Sequence, residues 1–130
     1  MKKAILTLII AAVGFTACKK DKKPADDILF GKWELAKVHG NLPEPAIIPP
    51  GSGNRYQFNR DSTYTRYIDN KVAGQGKFRI NITEIRDTIK FGTINFLQPG
   101  YSEAFQFRTK TILFGSGAAD GPVYEYKKTN

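Results

Sequence analysis

From Ile28 to the C-terminus the chain is a succession of short runs in which apolar and polar side chains alternate, broken by Gly, Asn, Asp and Pro. A two-residue period sends every second side chain to the same face, so such runs form strands with one dry and one wet side, the pattern of antiparallel sheet. A helical reading fails. β-Branched and aromatic residues dominate, and no apolar stripe of 3.6-residue period runs beyond two turns. The chain has one cysteine and so no internal disulfide, which leaves stability to a buried core. Material for that core is present, because Trp33, six tyrosines and eight of the nine phenylalanines follow residue 27.

Read in order, the runs are Ile28 to Val38, Arg55 to Asn59, Thr63 to Ile68, Val72 to Ile80, Ile85 to Phe91, Thr93 to Leu97, Ser102 to Thr109, Thr111 to Phe114 and Val123 to Lys127. Arg60-Asp61-Ser62 and Asp69-Asn70 are the tight turns of two hairpins. Gly74 and Gly76 share a face with Val72, Phe78 and Ile80, which suggests close backbone approach or strand bending. In the run Ile85 to Phe91, Asp87 is the odd member of an otherwise apolar face. About eight short one-sided strands either close into an up-and-down barrel or split into two packed sheets. The barrel is the expected all-β fold, since it removes sheet edges using only short hairpins, and a sandwich is the alternative.

Residues 40 to 54 break the short-loop pattern with four prolines and the adjacent pair Ile47-Ile48. Loops of this length in compact domains tend to be lids or binding loops. Ile47 and Ile48 are therefore expected over the barrel mouth, as a lid on a ligand or as a plug on the core.

At the other end of the chain, Met1-Lys2-Lys3 opens an apolar stretch from Ala4 to Phe15 that small residues close before Cys18. Twelve apolar residues are too few for a membrane span of ~20, and the arrangement is that of a secretory signal peptide. Phe15-Thr16-Ala17-Cys18 resembles the lipobox of bacterial lipoproteins, although those families usually begin it with Leu. The resemblance implies cleavage after residue 17, acylation of Cys18, and attachment to the cell envelope. Lys19 directly after it does not resemble the aspartate that retains many lipoproteins in the inner membrane, so the outer membrane is the expected address. Residues 19 to 27 carry no large apolar side chain and are expected to form a tether, with residues 28 to 130 as one domain. The formal charge of +8 falls to about +6 without the two signal-peptide lysines. An exported chain with scattered basic residues is not expected to bind nucleic acid.

Gly31-Lys32-Trp33 on the first strand resembles the Gly-x-Trp opening of lipocalins and related calycins. Short lipocalin-like bacterial lipoproteins are similar in further respects: the Cys-Lys-Lys start, a Phe-Gly-Lys-Trp first strand, the hairpin Tyr-Gln-Phe-x-x-Asp-x-Thr-Tyr and a closing Tyr-Glu-Tyr-Lys-Lys strand. What the resemblance implies is an eight-stranded barrel open at one end, with Trp33 buried at the closed end. Lipocalins commonly pack an arginine near the last strand on that tryptophan, whereas this chain has only Lys127 and Lys128 there.

Reactive groups are few. His39 is the only histidine, so no zinc site and no Cys-His pair can be assembled, and no serine lies in a Gly-x-Ser-x-Gly elbow. The glycine-flanked Ser52 and Ser116 lack the lysine and helix of a phosphate loop and read as turns. Glu103 shares a register with Tyr101, Phe105 and Phe107, and is expected to lie near a barrel mouth, with an inward position paired to an arginine such as Arg79 or Arg108 as the alternative. No enzyme activity, metal or cofactor is expected. The expected function is binding of a small apolar or amphipathic molecule, with Phe58, Tyr64, Phe78, Ile80, Phe105 and Phe107 as candidate lining. The same six residues would equally fill a solid core, which would make the protein a non-catalytic envelope component that meets a protein partner instead.

Overall fold

Tight turns set the topology. In a computed structural model, the residues described are 28–97, 100–115 and 121–130. The signal-peptide segment, Cys18, the tether to residue 27, and Ser116 lie outside them. The strands are β1 (Gly31–His39), β2 (Ala46–Ile47), β3 (Arg55–Phe58), β4 (Thr63–Ile68), β5 (Lys71–Arg86), β6 (Ile89–Leu97), β7 (Gly100–Arg108), β8 (Thr111–Phe114) and β9 (Val123–Thr129). Every neighbour is antiparallel, and β9 returns to pair with β1 from Lys32↔Thr129 to His39↔Val123. That pairing closes β1 and β3 to β9 into an eight-stranded up-and-down barrel, so the sandwich is excluded.

Asp69 and Asn70 both have positive φ, 51° and 65°, as a two-residue type I′ turn requires, and they join the paired residues Ile68 and Lys71. In the β3–β4 turn Ser62 takes the left-handed conformation, while the Asp61 carboxylate accepts from the Thr63 N–H at 3.1 Å and from its hydroxyl at 2.6 Å.

The run Ile85 to Phe91 is not a strand of its own. Asp87, at φ 53°, and Thr88 form the turn that joins Arg86 to Ile89, so β5 runs unbroken for 16 residues and β6 for nine. The first strand also starts later than expected, at Gly31. Leu29 before it is fully buried and accepts a 2.7 Å hydrogen bond from Trp33 Nε1.

Inward-facing rings fill the closed half of the barrel. Trp33, Phe58, Phe78, Ile94 and Ile112 are fully buried, and Phe107 meets Trp33 edge-on at 6.0 Å. Lys128 Nζ lies 5.5 Å from the Trp33 ring centroid, so a lysine near the end of the last strand packs on that ring. Gly76 and Gly74 sit opposite Tyr64 and Arg66 on β4, and a Cβ on Gly74 would stand 3.8 Å from the Tyr64 hydroxyl. Small residues on β5 thus leave room for large ones on β4.

Candidate functional site at the barrel mouth

Residues 40 to 54 leave β1 at the open end and return along its edge. Val38↔Ala46 and Lys37↔Ile47 form the β1–β2 pair, Ile48 N–H donates to the Ala36 carbonyl at 2.9 Å, and Leu35 N–H donates to the Asn54 carbonyl at 2.9 Å. The Glu34 carboxylate accepts from Gly51 N–H. Gly53 and Asn54 also hold the β4–β5 turn, through Asn70 N–H to the Gly53 carbonyl and Asp69 N–H to Asn54 Oδ1. The segment therefore covers the part of the β1 edge that short β3 leaves unpaired, since open edge groups seek a partner. This corrects the expected lid. Ile47 is 75% exposed, Ile48 packs from the side over a cavity shared with Leu35, Ala36 and Pro50, and neither lines the mouth.

The candidate lining residues are also placed differently. Phe58, Tyr64, Phe78 and Phe105 are buried, and Ile80 and Phe107 pack against them. None of the six borders the cavity at the mouth. They are core, and the free interior volume lies above them.

That volume is a cavity of about 220 Å³ lined by Tyr56, Arg66, Tyr101, Glu103, Phe114, Tyr124 and Tyr126. Tyr56 forms its floor, with ring centroids of Phe58, Phe96, Phe114 and Tyr126 at 5.4, 5.9, 5.5 and 5.2 Å. Alternation places the polar groups: Arg66 stands opposite Tyr56 on β3 and Gly74 on β5, and Glu103 stands opposite Ile94. A second hollow of about 170 Å³ shares Arg66, Tyr124 and Tyr126 and extends toward Asn54 and Ile68. The larger concavity on the barrel flank, about 600 Å³, runs along Thr63, Tyr64, Thr65, Gln75, Lys77 and Leu97, so Tyr64 of the candidate lining borders it, and Lys77 is its single charged group.

Arg66 and Glu103 are the charged groups of the mouth cavity. Arg66 Cζ lies 5.6 Å from the Tyr56 ring centroid, and among the described residues no side chain accepts a hydrogen bond from its guanidinium. Burial works against the Arg66 charge, yet Tyr56, Tyr126, Tyr101 and Glu103 outweigh it and hold the guanidinium above its ordinary pKa. Burial raises the Glu103 carboxyl, with Arg66 pulling it partly back, and the two do not close an ion pair. Burial also lifts the Tyr126 phenol to about 12 and the Tyr56 phenol further, while the Tyr56 hydroxyl sits 3.4 Å from that of Tyr101. Both stay neutral hydrogen-bonding groups near pH 7.

Glu103 points inward as its register demands, but the arginine it faces is Arg66 rather than Arg79 or Arg108. The signal for Arg66 was present in Thr63-Tyr64-Thr65-Arg66, where the alternation that buries Tyr64 also turns Arg66 inward. His39 at the rim pairs with Glu125 at 2.9 Å. No group of three or more metal-ligating side chains occurs among the described residues. Comparison with known proteins finds no family model, no curated protein and no solved structure that matches this chain.

Proposed function

We propose that this protein is a lipid-anchored component of the outer membrane whose lipocalin-like barrel binds, without catalysis, one small amphipathic molecule at its open end. The apolar part of the ligand lies against Tyr56, Phe114, Tyr124 and Tyr126, and an acidic head faces Arg66. One observation carries this reading: a half-buried guanidinium faces a ring-lined cavity with no described acceptor, and such a charge is stabilised by an anionic partner that can hydrogen-bond to it. An eight-stranded barrel is wide enough to be filled by side chains or to hold one small molecule, and here the filled part stops at Tyr56. The cavity lies below the ~300–1,000 Å³ of drug-sized sites, which restricts the ligand to a short chain or one ring system.

The test is titration with anilinonaphthalene sulfonate, an anionic amphipathic dye. Saturable one-to-one binding that weakens at least about tenfold in Arg66→Met is expected, because the methionine keeps an apolar stem and removes the charge. Absence of binding in the parent protein would favour the second reading, supported by the packed lower interior, of a filled barrel that meets a protein partner. Anchoring is tested separately: Cys18→Ser should release the protein from the membrane fraction, and retention with the signal peptide cleaved would contradict the lipid anchor.

A further inference from the structure

Charge is distributed unequally between the two ends of the barrel. Around the open end, Lys37, Arg55, Arg66 and Lys71 are balanced by Glu44, Asp69, Glu103 and Glu125. At the closed end the balance fails. Lys32 starts β1, Arg60 sits in the β3–β4 turn, and Arg86 and Lys90 flank the β5–β6 turn. Arg108 and Lys110 mark the β7–β8 turn, and Lys127 and Lys128 end β9. Against these stand Glu34, which is the cross-strand neighbour of Lys127, with Asp61, Glu84 and Asp87, and Glu84 is already engaged by Arg86.

Two of these cations lie against aromatic rings, and a backbone hydrogen bond ties Lys128 to Lys110. Lys128 N–H donates to the Lys110 carbonyl at 3.0 Å, Arg60 stacks 4.4 Å from the Phe30 ring, and Lys128 rests on Trp33. Lys110, Lys128, Thr129 and Asn130 line a surface hollow of about 330 Å³. Ile28, which leads into β1 and packs against the core, lies at this same end.

From this polarity we infer that the closed end is a membrane-docking face that engages the phosphate headgroups of an anionic bilayer. Charge complementarity selects the partner, because a cluster of basic side chains near an anionic surface gains about 1 kcal/mol per residue. Docking by this end turns the mouth cavity away from the lipid. The inference does not depend on acylation of Cys18, and it is tested without an acyl group.

The experiment uses the chain from Lys19, which keeps every strand pairing of the barrel and lacks the apolar leader. Co-sedimentation with vesicles of phosphatidylcholine alone, and with phosphatidylglycerol added, measures the partition. Binding that requires phosphatidylglycerol is expected, weakened at least about tenfold by Arg108→Glu with Lys110→Glu. Arg55→Glu with Lys71→Glu carries the same charge change at the open end and should alter binding by less than about twofold. The near-ultraviolet signal of Trp33 confirms folding of each variant. Equal weakening by the two pairs would overturn the inference, as would tighter binding to a DNA duplex than to the vesicles. It is also overturned if replacing Lys19, Lys20, Lys22 and Lys23 by Gln abolishes binding while the closed-end pair leaves it intact.

Discussion

Tyr56 marks the level at which the interior changes character: below its ring lie Phe58, Phe78 and Trp33, and above it lie Arg66, Glu103 and the other mouth tyrosines. The lower residues act through burial. Trp33 has no exposed surface and donates to the Leu29 carbonyl, so Trp33→Ala should lower unfolding stability by about 3–5 kcal/mol in a denaturant titration. The upper residues carry electrostatic strain instead. Because burial raises the Glu103 pKa, the folded state holds its proton more tightly than the unfolded chain does. That contribution is complete below the unfolded carboxyl value of about 4.5, declines as pH rises toward the folded value, and is absent above it. Glu103→Gln should therefore be at least as stable as the parent at pH 7 and should flatten that decline, read from stability curves across pH. An unchanged slope would place Glu103 in water.

The β5–β6 hairpin shows how single residues govern an element. β5 bulges between Ile82 and Glu84 where Gly92 lies against it, and a Cβ at Gly92 would meet the Asn81 carbonyl oxygen at 2.1 Å. Gly92→Ala forces the two backbones apart and should destabilise by ~1–3 kcal/mol, comparable to overpacking a core. The edge segment offers a second contrast. Ile48→Ala removes a half-buried side chain and should lower stability, whereas Ile47→Ala should stay within about 0.5 kcal/mol, checked by thermal unfolding. Alternation and turn residues made the strands and the Asp69-Asn70 turn readable in advance, and the Gly-x-Trp resemblance implied the burial of Trp33. The β5–β6 turn was not, because Asp87-Thr88 carries no glycine and the apolar spacing of Ile85, Ile89 and Phe91 continues across it. Likewise, Ile47 and Ile48 resemble a lid by composition, and only the shortness of β3 shows that they complete an edge instead.

For the molecule as a whole, closure by β1 and β9 sets two unlike ends: a packed, basic one around Lys110 and Lys128 and a shallow polar-aromatic cavity at the other. Barrel and core were legible because they depend on periodicity, whereas the cavity depends on which inward residues stop short of one another, and a sequence does not record that distance. Arg66 follows the same rule, for its register was readable but its separation from the Glu103 carboxylate, with which it closes no ion pair, was not. Binding at the mouth is the central claim. The measurement that tests it most directly is nuclear magnetic resonance mapping of an octanoate titration, followed at the tyrosine ring and arginine Nε–Hε signals. Saturable shifts confined to Arg66, Tyr56, Tyr124 and Tyr126, with Trp33 unmoved, are the predicted result. Shifts that do not saturate, or that fall on the barrel's outer surface and leave Arg66 unchanged, would contradict it.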